Sequence, residues 1–469
     1  MAAPLPQGGA RRSDALAGAV AAAGVVAATL SGALVAMGAA VGLASIVALT
    51  YAPLVLLNLG VALCLWVPLI FFEGLPGAKN VPEAGVLLLT VGWLAMLRAE
   101  PRIREVLRAH RRTLFVIALF LAWALITLAW APEPERGLAL MPSFVNVVLI
   151  YVIVLTALAT VRQIRLLALF FVLGVAASVL LGLAGGDALG GALSTEGRLN
   201  GGMSDPNYLA VAIVAALALL GGLFASTRSL LGRWMMGTVL VVLLLVGLNA
   251  TGSRGGLVGA AVAVLAALWL HRRSRMRVLA FLCLALAIAG VWFASNPAAL
   301  ERITNDQYGG SGRSDLWQLA WREVQEHPIH GVGLSNFAVA AAPYLREPGV
   351  LKSVDHVERH QEAHNLYLGL LAETGIIGLL LYLVIPLGAV RAAVVAGHRF
   401  EAAADRPAAS LARGVATALI GVLAAAVFLP DAADKRLWVL FALGPALLAA
   451  STSARAPGRT DATLPGSAR

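Results

Sequence analysis

Apolar residues in this 469-residue chain come in long unbroken runs, many of them about 17–25 residues, long enough to cross a bilayer as a helix. Such runs lie near residues 53–72, 83–97, 113–130, 143–159, 166–184, 207–225, 234–250, 256–270, 278–294, 366–390, 409–429 and 437–450. The predicted fold is an all-α polytopic membrane protein with about 12 core transmembrane helices. Ahead of them, 15–50 is apolar and rich in Ala and Gly, read as a short hairpin or re-entrant pair whose small residues suit close helix packing. The tail after Ala450 is polar and expected to be disordered. The chain thus divides into an N-terminal segment 1–52, a transmembrane bundle 53–294, a long loop 295–363, C-terminal helices 364–450 and a tail 451–469.

Charge orients this pattern. Segment 98–112 holds Arg98, Arg102, Arg104, Arg108, Arg111 and Arg112, and 271–277 reads H-R-R-S-R-M-R. Arg162 with Arg165, Arg228 with Arg233, and Arg391 with Arg399 fill three more short loops. These alternate with poorly basic loops, which assigns the basic set to the cytoplasm of a bacterial inner membrane and the others to the periplasm. The formal charge of +10 is therefore a topology signal and not a nucleic-acid one. Composition agrees: 59% hydrophobic, 13% charged and a mean hydropathy of +0.84, against about 25% charged in soluble proteins. Cys64 and Cys283 both fall in apolar runs, so no disulfide framework is expected. Arg11 and Arg12 precede an apolar run and resemble a secretory signal, but the many later spans favour an uncleaved anchor.

One outer loop, 295–363, is too long for a connector and is expected to act as a helical functional loop. Within it, Trp317, Ala320, Trp321 and Val324 recur at helical spacing over 314–326. That face reads as packing on the membrane surface or on the bundle. Contact of the Trp pair with substrate is the alternative.

Arginines on the wrong side carry the candidate chemistry. Arg198 lies in G-R-L-N-G-G, Arg254 in T-G-S-R-G-G and Arg313 in G-S-G-R-S-D, all in outer loops and all beside glycine. A guanidinium is a permanently charged planar fork suited to phosphate oxygens, and neighbouring glycines let backbone approach a ligand. At that depth the available anion is a lipid phosphate or pyrophosphate; the plain alternative is a snorkelling or ion-paired arginine. The second cluster is D-H-V-E-R-H-Q-E-A-H-N, where His356, His360 and His364 are spaced to share a helix face. Metal ligation, loop packing and a single catalytic His364 all fit that spacing. His364 is favoured because it stands where the outer loop re-enters the membrane. Glu373 is the one acid inside a core span, nine residues on and so on the opposite face of a continuous helix; a hydrogen bond to a neighbouring helix is its plainer role. Ser204-Asp205-Pro206-Asn207 reads as a helix start. The G-x-G of H-P-I-H-G-V-G precedes no strand–helix unit and implies no nucleotide site.

S-R-G-G after a span, G-R-x-x-x-W before H-P-I-H-G-V-G-x-x-N-F, and H-N-x-Y-L-x-x-L-A-E-x-G-I-x-G together resemble the O-antigen ligase and polymerase superfamily over roughly 195–440. The resemblance implies a GT-C-like membrane glycosyltransferase that takes a glycan from undecaprenyl pyrophosphate in the periplasm, with no metal and no cofactor. It implies lipid A–core as acceptor in a ligase, another repeat unit in a polymerase and a protein hydroxyl in a third branch. By motif, Arg254 and Arg313 correspond to pyrophosphate-binding arginines and His364 to an essential histidine, with Arg198 less securely matched. Asn365, Glu373, Trp317 and Trp321 are secondary candidates. The chemistry fits: arginines stabilise a leaving pyrophosphate but hold their protons, whereas histidine accepts one at neutral pH. Ligase is favoured because one long outer loop suffices and no extra domain is present. A lipid or glycan transporter is the different-class alternative, disfavoured because ionisable residues inside the core spans are confined to Glu373 and Arg413.

Overall fold

The computed structural model describes residues 51–185, 197–224, 230–272, 275–297, 300–301, 313–344 and 362–453. The expectations for 15–50, for His356 and His360, and for the tail beyond 453 lie outside those residues.

The described chain is helical throughout, and every predicted apolar run coincides with a helix. Helices α1 (Leu59–Trp66), α2 (Val81–Ala99), α3 (Pro101–Ala109), α4 (Arg111–Ile126), α5 (Pro134–Ala157) and α6 (Val161–Gly185) form the first half. The second half comprises α7 (Pro206–Phe224), α8 (Leu230–Thr251), α9 (Arg254–Leu270), α10 (Arg275–Ser295), α11 (Arg313–Glu326), α12 (Phe337–Ala341), α13 (Leu366–Ala402), α14 (Arg406–Ala425) and α15 (Lys435–Ser453). Among the described residues, 8 helices are long and apolar enough to cross a membrane, and Leu59–Phe71, Gly237–Thr251 and Arg254–Leu270 are shorter apolar helices. This is a multi-pass membrane protein.

Helix α14 is the hub, packed against α7, α9, α13 and α15. Small residues make that possible. A methyl group added at Gly414 would stand 2.9 Å from the Gly222 Cα, and one at Gly421 only 2.7 Å from the Ala263 Cβ. Without a hydrophobic force between helices in lipid, such close approach supplies the dispersion contact that holds the bundle. By contrast α10 buries no residue and presents its apolar surface outward.

Three local expectations are corrected. Segment 98–112 is not a simple loop: Pro101 starts α3, which buries Ile103 and Val106, and Arg102 donates to the carbonyls of Thr156 and Leu158 at 3.1 and 3.0 Å. Helix α11 is rotated from its predicted face. Leu316, Leu319, Ala320, Glu323 and Val324 are buried, while Trp321 is 53% exposed. Helix α13 is not continuous, because Gly375 breaks it at φ +67° and ψ −174°. An unbroken helix of 37 residues would reach about 55 Å, well past a bilayer core of about 30 Å.

The segment before α12 plugs that break. Val332 and Gly333 donate to the carbonyls of Ala372 and Glu373 at 2.9 and 2.8 Å, and Ile376 donates to the Pro328 carbonyl at 3.0 Å. Backbone groups freed at Gly375 thus find partners in H-P-I-H-G-V-G, as a break at membrane depth requires. Side chains are excluded here: a Cβ on Gly331, itself at φ +69°, would meet the Glu373 backbone at 2.4 Å. Fully buried Asn336 anchors the loop's other end. Its Oδ1 accepts from the Glu133 N–H at 2.8 Å and its Nδ2 donates to the Glu133 carbonyl at 3.1 Å. The G-x-G motif is a clasp between loop and helix.

Candidate functional site

The loop at the end of α8 organises the first half of the site. Helix α8 ends at Thr251, Gly252 turns at φ +57°, and Ser253 caps α9 by accepting from the Gly256 N–H at 3.1 Å. Arg254 is therefore the first residue of α9. The Ser253 hydroxyl donates to Asn207 Oδ1 at 2.8 Å, and Arg198 Nη2 donates to the same oxygen at 3.1 Å. Arg198 Nε donates to the Thr251 carbonyl at 2.8 Å. Asp205 does cap its helix as expected, accepting from the Asn207 N–H at 2.6 Å, with Pro206 opening α7.

Arg313 opens α11 and lies over the Phe428 ring at 5.8 Å, with Trp317 one turn on, 6.1 Å from the same ring. Burial lowers the Arg313 pKa, Asp205 raises it, and Arg198 and Arg254 lower it again. All three sequence-predicted arginines are thus gathered around one another, with Asp205 as the offsetting carboxylate. Two of them begin helices and the third hydrogen-bonds the start of α7, so positive helix ends add to the guanidinium charge. That concentration of donors and positive potential suits a multiply charged anion.

The glycines beside Arg254 are closely packed. A Cβ on Gly255 would stand 2.6 Å from the Phe428 Cβ, and one on Gly256 2.6 Å from the Ala210 Cβ. They seat the start of α9 against its neighbours, which fixes Arg254.

His364 precedes α13 in the left-handed region, at φ +46°, rare for a side-chain-bearing residue. Asn365 is the N-cap of α13, its side chain accepting from the N–H groups of Tyr367 and Leu368 at 3.1 Å each. His364 is therefore outside the helix. The opposite-face relation to Glu373 on a continuous helix does not arise. Glu373 precedes the break at Gly375 and accepts from the Ser335 N–H at 2.9 Å, so its partner is the clasp loop and not a neighbouring helix. Among the described residues no group of three or more His, Cys, Asp or Glu is arranged to hold a metal.

Beside His364 lies a cavity of about 750 Å³, lined by its neighbours Ala363 and Asn365, by α2 and α5, by Glu373, and by Asp431 in the turn between α14 and α15. Glu362, Asp431 and Tyr208 were not singled out in the sequence. The charged run D-A-A-D-K-R at 431–436 was the available signal. Within it, Lys435 bridges Glu73 and Glu83 at 2.9 and 2.8 Å, and Arg436 is chelated by Asp434 while lying 4.9 Å over the Tyr208 ring.

Similarity to known proteins follows these elements. A family model described as O-Antigen ligase matches residues 239–383, which contain Arg254, Arg313, the clasp, His364 and Glu373. An O-antigen ligase of Pseudomonas aeruginosa is 36% identical over 142 residues, covering 29% of this chain and 30% of that protein. The similarity thus spans under a third of the relative's length, and Arg198 and Asp431 lie outside the family match. Residues 239–383 of this chain are thus similar to the O-antigen ligase family.

Proposed function

We propose that the protein is an O-antigen ligase, transferring a glycan from undecaprenyl pyrophosphate to lipid A–core at the periplasmic face of the inner membrane. The observation that carries this reading is the gathering of Arg198, Arg254 and Arg313 around Asp205 at the end of the bundle that bears the long loop. A diphosphate would satisfy those donors. The acceptor hydroxyl oxygen attacks the anomeric carbon, the bond from that carbon to the pyrophosphate oxygen breaks, and the anomeric centre inverts. His364 takes the hydroxyl proton, and the arginines stabilise the charge that grows on the leaving pyrophosphate, the role a metal plays elsewhere. The strained backbone at His364 supports a functional role, since such geometry persists where surrounding structure enforces it.

Gene deletion followed by analysis of lipopolysaccharide tests the reading. Loss of all glycan beyond the core is expected. Retention of a single repeat unit would reassign the protein as a polymerase, and unchanged lipopolysaccharide would reject both.

A further inference from the structure

The cavity beside His364 differs in charge from the arginine cluster. Glu83, Glu362, Glu373 and Asp431 line it, against Arg136 and Lys435. Both cations are already engaged: Lys435 by Glu73 and Glu83, Arg136 by Glu133. The wall is therefore net acidic. Burial first, then Asp434 beside it, raises the Asp431 carboxyl to about 7, so this wall resists further negative charge. One further atom calls for a partner: Glu83 Oε2 is buried with none among the described residues. A pyrophosphate would be repelled here. A neutral polyol would not, because carboxylates accept from hydroxyls and the rings of Tyr208 and Phe144, also in the lining, offer apolar faces. A volume of about 750 Å³ lies within the usual range of ligand pockets, about 300–1,000 Å³.

We propose that this cavity is the acceptor subsite, where Glu362 and Asp431 hold the hydroxyls of an acceptor sugar while the arginine cluster holds the diphosphate of the donor. The proposal rests on the transferase reading above and adds to it a division of the two substrates between an acidic and a basic pole. Ala363 and Asn365, the chain neighbours of His364, line the cavity, so a sugar seated there would lie next to the segment that carries the proposed base.

The test uses full-length protein in nanodiscs, lipid-linked donor and purified lipid A–core. Glu362→Gln and Asp431→Asn should each raise the acceptor KM about tenfold, the order expected for a lost charged hydrogen bond, with the donor KM little changed. Arg313→Ala should do the reverse. Ser143→Trp, which narrows the cavity and leaves every carboxylate in place, should also raise the acceptor KM. Inorganic pyrophosphate titrated into the three cavity variants should bind as in wild type, which reports an intact fold. An unchanged acceptor KM in all three cavity variants, or a raised donor KM instead, overturns the proposal. If wild-type protein transfers nothing, the transferase reading fails, and calorimetry with delipidated core oligosaccharide then decides the cavity alone: binding weakened in the three variants supports it, and no wild-type binding overturns it.

Discussion

Two groups of half-buried arginine stand in this molecule in different surroundings. Arg436 is chelated by Asp434 and stacked on Tyr208, and Arg413 is paired with Glu401. Each is neutralised by a dedicated carboxylate. Arg198, Arg254 and Arg313 instead crowd together, with Asp205 offsetting them. Assembling like charges where burial already disfavours them costs stability. A protein that keeps such a cluster has a use for it beyond folding, whereas a neutralised pair is explained by structure alone. Residue type does not separate the two groups; the close approach of like charges does.

The comparison breaks most sharply if the clustered arginines prove dispensable. Arg254→Ala and Arg313→Ala should each lower transfer by about 10- to 100-fold, since a charged hydrogen bond contributes roughly 1.5–3 kcal/mol, without loss of membrane insertion. Lysine at either site should restore only part of the rate, because it lacks the bidentate fork. Full activity of both alanine variants in a donor–acceptor assay would make this cluster as structural as the other.

His364→Ala should remove transfer about as completely while donor binding survives. The wild-type rate should fall on acidification, as only the neutral imidazole accepts a proton, and the variant's residual rate should lose that dependence. His364→Gln turning over normally at saturating substrate would leave the histidine a hydrogen-bonding residue only. If the arginines replace a metal, transfer should persist in excess EDTA; loss restored by one divalent ion would return the histidines to metal ligation.

A smaller effect concerns stability. Glu323 is 1% exposed, both its carboxylate oxygens lack hydrogen-bond partners among the described residues, and burial first, then Glu373, raises its pKa to about 9. The folded form therefore holds a proton that the unfolded chain releases near 4.5, so stability is full below that pH and declines toward pH 9. Glu323→Gln should flatten this decline and raise Tm at pH 8 by about 2 °C, as thermal unfolding at pH 5 and 8 would show. Smallest of all, Arg413→Ala should leave activity unchanged and lower Tm by about 1 °C, since a partly exposed pair contributes about 0–1 kcal/mol. A large activity loss there would erase the contrast between the two arginine groups.

Sequence by itself determined the helices and the charged groups worth watching. Uninterrupted apolar runs have few ways to satisfy their backbone in lipid, so twelve runs became twelve helices. Arg198, Arg254 and Arg313 were legible because a charge that breaks the loop pattern needs a reason. Periodicity misplaced the buried face of α11, because the stripe was drawn through Trp317 and Trp321 while packing selected one through Leu316, Leu319 and Glu323. The spacing of His356, His360 and His364 implied a shared face, yet Asn365 caps α13 and leaves His364 outside the helix. Only the tertiary structure joined Arg313 to Arg198 and Arg254, set the clasp loop into the break at Gly375, and brought Asp431 round to the cavity beside His364. Those pairings link residues far apart in the chain, and a linear pattern reports the face a residue takes on its own helix, not which other helix end packing brings against it.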